Sequence, residues 1–161
     1  MLTKNFYSYI RATLQKQYAT FTKPDGTTES SDATANYPPF KVMNSWRSSN
    51  GTTGVSFGTG TTPPTVSDYE IESILDSSKI SVAAPGAVSF SRTDTYDEYS
   101  VTFGITNKTA AAITISEVGL TAMPVSGTYA LVDRTVLDAP VTIPAGQSKQ
   151  ITYTIRFNYG V

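Results

Sequence analysis

From Tyr96 to Tyr159 the chain alternates apolar and polar residues in one segment after another, and that rhythm suits an antiparallel sandwich. In Tyr99-Ser100-Val101-Thr102-Phe103-Gly104-Ile105 the odd positions are apolar or aromatic and the even ones small or polar. Ile151, Tyr153, Ile155 and Phe157 repeat the pattern after a Pro144-Ala145-Gly146 turn. A period of two sends one set of side chains to a core and the other to solvent. Strands are expected at residues 79–83, 87–94, 97–107, 111–122, 129–137, 140–143 and 148–158. Turn residues separate them at Pro85-Gly86, Thr95, Asn107-Lys108, Ser126-Gly127, Asp138 to Pro140 and Ala145-Gly146. About seven strands at this spacing predict an all-β fold, an antiparallel Ig-like β-sandwich.

The first part of the chain reads differently. Phe6, Tyr9, Ile10, Thr13 and Leu14 recur at helical spacing, with Thr3 or Asn5 as cap, so a short N-terminal helix is expected, the alternative being a first strand. Residues 18–22 and 27–29 flank Asp25-Gly26, a strong hairpin signal. A Ser-, Thr-, Asn- and Gly-rich loop over residues 30–54 is expected to hold a short strand near Lys41 to Asn44. The division is therefore a helix, hairpin and loop element at 1–45 and a sandwich domain at 46–161. Within the latter, the acidic segment Ser67 to Ser73 is expected to form one helical turn.

The chain has no Cys and no His. Disulfides, thiolate nucleophiles, Cys- or His-based zinc sites and every triad built on imidazole are thereby removed. Net charge is −1, so nothing steers the chain to nucleic acid or an anionic membrane. Residues 1–10 carry one Lys and no apolar run of signal-peptide length, and no segment approaches the ~20 apolar residues of a membrane span. A chain made soluble in the cytoplasm is expected.

Several clusters invite chemistry and have a plainer reading beside it. Gly58-Thr59-Gly60 suggests a phosphate cradle, but Pro63-Pro64 stands where the required helix would begin. Asp94, Asp97 and Glu98 would offer oxygens to Ca²⁺; without EF-hand spacing, a solvated acidic hairpin is the better reading. Asp68, Glu70, Glu72 and Asp76 resemble the paired carboxylates of a glycosidase, yet capping and surface roles suit them better. Trp46, beside Arg47 and near Tyr37 and Phe40, fits an interface, a sugar-binding face or core packing. The sequon Asn107-Lys108-Thr109 carries little weight without a secretion signal. Accordingly no catalytic, cofactor-binding or metal-ligating residue is assigned, and no cofactor is expected.

Two pieces of the chain resemble small virion proteins of tailed bacteriophages. One is Val55 to Ser73, with Gly58-Thr59-Gly60-Thr61-Thr62-Pro63-Pro64-Thr65 and Asp68-Tyr69-Glu70-Ile71-Glu72. The other runs through Ile115-Ser116-Glu117-Val118-Gly119-Leu120, Leu131-Val132-Asp133-Arg134-Thr135-Val136-Leu137, and the Pro144-Ala145-Gly146 turn with its closing strand. Glu117 and Asp133-Arg134 recur in that pattern, and a Glu117–Arg134 pair is expected to fix strand register or meet another subunit. The resemblance implies a non-enzymatic component of a phage head, neck or tail, located in the virion. Its partners would be copies of itself and other virion proteins, with residues 1–45 suited to an assembly arm. A module that binds a host receptor or glycan ranks second, and a particle-borne glycosidase third.

Overall fold

Two antiparallel sheets pack face to face, and the alternating residues of the chain's second half fill the space between them. The computed structural model describes residues 1–15, 18–32, 42–43, 45–49, 52–125 and 127–159. Its elements are α1 (Lys4–Gln15), β1 (Tyr18–Thr22), β2 (Thr28–Asp32), β3 (Gly54–Gly58), β4 (Ile80–Val82), β5 (Ser89–Arg92), β6 (Tyr96–Asn107), β7 (Ile113–Val125), β8 (Thr128–Ile143) and β9 (Ser148–Asn158). The first sheet has the order β3-β7-β8. In the second, β9 runs along one side of β6, and β4 and β5 share the other. This is the all-β sandwich that the alternation predicts, and of the two forms expected for its N-terminus the helix is present.

The core draws Val55 and Phe57 from β3, Val101, Phe103 and Ile105 from β6, Val118 and Leu120 from β7, and Ile151, Tyr153 and Ile155 from β9. Phe57 and Phe103 meet edge to face across the sheets, with ring centroids 5.3 Å apart. Buried and open positions alternate from Val101 to Asn107 in β6 and from Ile151 to Arg156 in β9, while Tyr96 to Ser100 are all half-buried. In β3 and the middle of β7 the alternation disappears, and every residue from Ile115 to Ala122 is buried. Both faces of the first sheet are covered there, because the 59–75 segment lies across its outer side.

The Asp25-Gly26 hairpin forms as expected: β1 pairs with β2, Gly26 takes a φ of 81°, and Asp25 Oδ1 accepts the Thr27 N–H at 2.9 Å. α1 packs on β1 and β8. Tyr9, Ala12, Phe21 and Ala130 make a small second core beneath it, while Phe6 joins the main core. The expected side-chain caps are otherwise engaged. The Thr3 hydroxyl donates to the Leu131 carbonyl at 2.5 Å, and the Asn5 amide makes two 2.8 Å bonds with the backbone of Thr22. Thr3 N–H also donates to Val132 O, and Arg134 N–H to Met1 O, so residues 1–3 line the edge of β8.

Three local expectations change. Residues 129–137 and 140–143 belong to one strand, β8. The predicted break survives as a bulge: Val136 pairs with Glu117 and Val141 with Ile115, so residues 137–140 of β8 oppose Ser116 alone. Pro140, which has no N–H to give a ladder, sits in that bulge. The acidic segment forms no helical turn; it has a turn at Val66-Ser67, bends at Glu70, Glu72 and Ser73, and reaches the sheet at an antiparallel bridge between Ile74 and Gly58. Of the strand expected near Lys41 to Asn44, residues 41 and 44 lie outside the described residues, while Val42 and Met43 lie in a turn.

Candidate functional site

The densest polar constellation lies between the first sheet and the 58–75 segment. On β7 and β8, Gly119 pairs with Arg134 and Glu117 with Val136. Glu117 and Arg134 are therefore diagonal neighbours on one face. Glu117 is fully buried and Arg134 is 3% exposed. Arg134 Nε donates to Glu117 Oε2 at 3.0 Å, realising the cross-strand pair expected from sequence.

The pair is also an anchor. Glu117 Oε1 accepts the N–H groups of Gly60 at 3.0 Å and Ser73 at 2.8 Å, and Oε2 accepts that of Glu72 at 3.0 Å. Arg134 Nη1 donates to Asp68 Oδ2 at 2.7 Å, and Nη2 to the Thr62 carbonyl at 3.1 Å. Nη2 also lies 3.4 Å from Glu72 Oε2, which accepts the N–H groups of Thr61 and Thr62. Two strand side chains thus hold a segment that has few backbone partners of its own. A Cβ on Gly58 or Gly60 would come within 2.5 Å of Glu117 Oε1, so only glycine lets the loop backbone settle on that carboxylate. Gly58-Thr59-Gly60 does receive an anion, but an internal one.

Next to this cluster Arg47, wholly buried, forms a two-pronged pair with Glu70 at 2.8 and 2.7 Å. On the other side Asp133 meets the Met1 amino group at 3.0 Å and accepts the Tyr153 hydroxyl at 2.7 Å. Burial, and then the neighbouring Asp133, push the Tyr153 hydroxyl well above its ordinary pKa.

A cleft of about 470 Å³ opens over the cluster, lined by Pro24, Tyr69 and Ile71 with Asp68, Glu72 and Arg134 among its polar groups. Burial raises the Asp68 pKa, but the bonds from Arg134 and Thr65 outweigh it and hold the group below the usual carboxylate value. Glu72 is lowered chiefly by the backbone N–H and hydroxyl of Thr62. A glycosidic general acid needs a shift in the opposite direction. These carboxylates are arranged to stay ionised and bonded. Asp76 accepts the Ser78 N–H and Asp68 that of Thr65, each closing a turn; no helix follows either, so the helix-capping role expected of them is not realised.

The remaining clusters disperse. Asp97 pairs with Arg92 at 2.7 Å and Glu98 with Arg156 at 2.6 Å, while Asp94 is exposed. Successive strand residues face opposite ways. Among the described residues no group of three acidic, His or Cys side chains could hold a metal ion. Trp46 is half-buried against the main core and bridges Val55 in parallel; Tyr37 and Phe40 lie outside the described residues. Asn107 is buried, its amide donating to Ala111 O and Ile143 O and its oxygen accepting from Thr109, so the sequon is a structural turn. No described helix is long and apolar enough to cross a membrane.

Sequence reading missed the Arg47–Glu70 pair and the anchoring of the loop by Glu117. The visible signal for the second was a pair of glycines three residues before a double proline, which marks close backbone approach without saying to what. No family model, no curated protein and no solved structure matches this chain.

Proposed function

We propose that this chain is a non-enzymatic structural component of a tailed-phage virion, working by packing against copies of itself and other virion proteins. The observation that carries the packing part is where the apolar surface lies. Of nine large hydrophobic residues exposed among the described ones, seven fall on residues 1–18 or on the 66–69 segment beside them: Met1, Tyr7, Ile10, Leu14, Tyr18, Val66 and Tyr69. Scattered exposed hydrophobics are ordinary; a concentration of them on two short stretches of the chain is how a surface awaiting a partner looks. The resemblance of residues 55–73 and 115–157 to tailed-phage proteins supplies the particle.

The polar cluster supports the same reading from the other side. Its carboxylates are occupied by arginines and backbone N–H groups, which suits a rigid part more than a reactive one. The deciding experiment is to purify particles from the infected host and identify their proteins by mass spectrometry, with this chain then fitted in a density map. A fixed copy number per particle is expected. Particles that lack the chain would overturn the reading.

A further inference from the structure

α1 is apolar on two sides. Phe6, Tyr9 and Ala12 face the protein and are buried. Tyr7, Ile10 and Leu14 follow at the three- and four-residue steps that make a second stripe, with exposures of 58%, 37% and 78%. A helix that needed only its own domain would carry polar residues there. The helix sequence holds Lys4 and Arg11 and no acidic residue, so it is cationic by two charges.

The cleft beside Tyr69 has the opposite sign. Asp68, Glu70, Glu72 and Arg134 line it, and the buried Arg47 and Glu117 behind them pair with Glu70 and Arg134, which leaves four negative charges less two positive, a net of −2. Its rim includes the apolar Pro24, Tyr69 and Ile71. The start of α1 lies against the segment that leads into the cleft, because Lys4 N–H donates to Val66 O at 2.7 Å. One surface thus carries a basic apolar ridge and an acidic apolar hollow, the requirement for contact about a two-fold axis.

We infer that this surface joins two copies of the chain, the Tyr7-Ile10-Leu14 ridge of each lying over the cleft beside Tyr69 of the other. The inference rests on the reading that the chain packs with copies of itself, and it specifies the symmetry and the two halves of the contact. Opposite charge selects the cleft over a second helix as the ridge's partner, since two α1 helices would bring like charges together.

Sedimentation of the full chain over a concentration series tests it. The wild type is expected to dimerise, Leu14→Glu to weaken the dimer at least roughly tenfold, and Leu14→Lys to weaken it less. Ser67→Lys, which puts a cation in the cleft without touching the polar cluster, is expected to weaken it comparably. An equimolar mixture of Leu14→Glu and Ser67→Lys should re-form a dimer tighter than either variant alone, because one of the two contacts is intact in the mixed pair. Circular dichroism checks that each variant is folded; if Leu14→Glu is not, Tyr7→Ser takes its place. A monomeric wild type, or a dimer indifferent to Leu14, overturns the inference. So does a loss with Leu14→Glu unmatched by Ser67→Lys and unrescued on mixing, which would place helix against helix. Each leaves the particle reading to its own mass-spectrometric test, so the two can fail separately.

Discussion

The two sheets carry the same kind of ion pair and use it in opposite ways. On the second sheet, Arg92–Asp97 and Arg156–Glu98 stand on the surface, with the arginine side chains 66% and 51% exposed. On the first, Arg134 and Glu117 are closed beneath the 58–75 segment. A surface pair competes with water and salt and contributes little, whereas a buried pair is costly to break because its survivor stays desolvated. Identical functional groups therefore decorate one sheet and hold the other together.

The sharpest way to break the contrast is Glu117→Ala. It takes from Arg134 its one fully buried carboxylate partner and leaves three loop N–H groups without an acceptor, so a loss of about 3–5 kcal/mol in urea unfolding is expected. Gly60→Ala comes next. Its methyl would meet Glu117 and the Glu72 Cβ, and overpacking of this kind costs about 1–3 kcal/mol by the same measurement. Asp68→Asn removes one charged partner of Arg134 and is expected to cost roughly 1.5 kcal/mol.

Acid sharpens the comparison further. The folded Asp68 pKa lies below its unfolded value. Its stabilisation is therefore complete above the unfolded pKa near ~3.9 and is lost as pH falls through the lower folded one. Thermal unfolding from pH 5 downward should show that loss in the wild type and a shallower one in Asp68→Asn. At the small end, Arg92→Ala is expected to leave the melting temperature at pH 7 within experimental scatter. Asp97, held at a pKa of about 2 by Arg92 and then Tyr159, would simply regain solvent.

The sandwich was legible because alternation is a local property: Tyr99 to Ile105 and Ile151 to Phe157 announce their faces without reference to anything distant. The Glu117–Arg134 pair was legible for a similar reason, both residues lying on strands with readable register. What they hold was not. Asp68, Glu72 and Gly60 reach the pair through a segment with no periodicity, and Arg47 finds Glu70 across 23 positions of chain. The break expected at Asp138 to Pro140 was a correct signal with the wrong outcome, since a Pro can interrupt a ladder without ending the strand. The second apolar stripe of α1 was hidden too, because a periodicity reading counts apolar residues and does not say which of two faces the protein will cover.

The contact between Thr3 and Leu131 spans 128 positions of the chain. During synthesis, the strand that Thr3 must meet leaves the ribosome only after most of the protein has been made. Until then α1 has only β1 to rest on, and the face that β8 later covers stays open to water. Closing so distant a contact is slow, because chain entropy is lost before the pairing gives anything back. α1 is thus made well before β8 and finished among the last, so the nascent chain has a vulnerable interval whose length is set by translation speed.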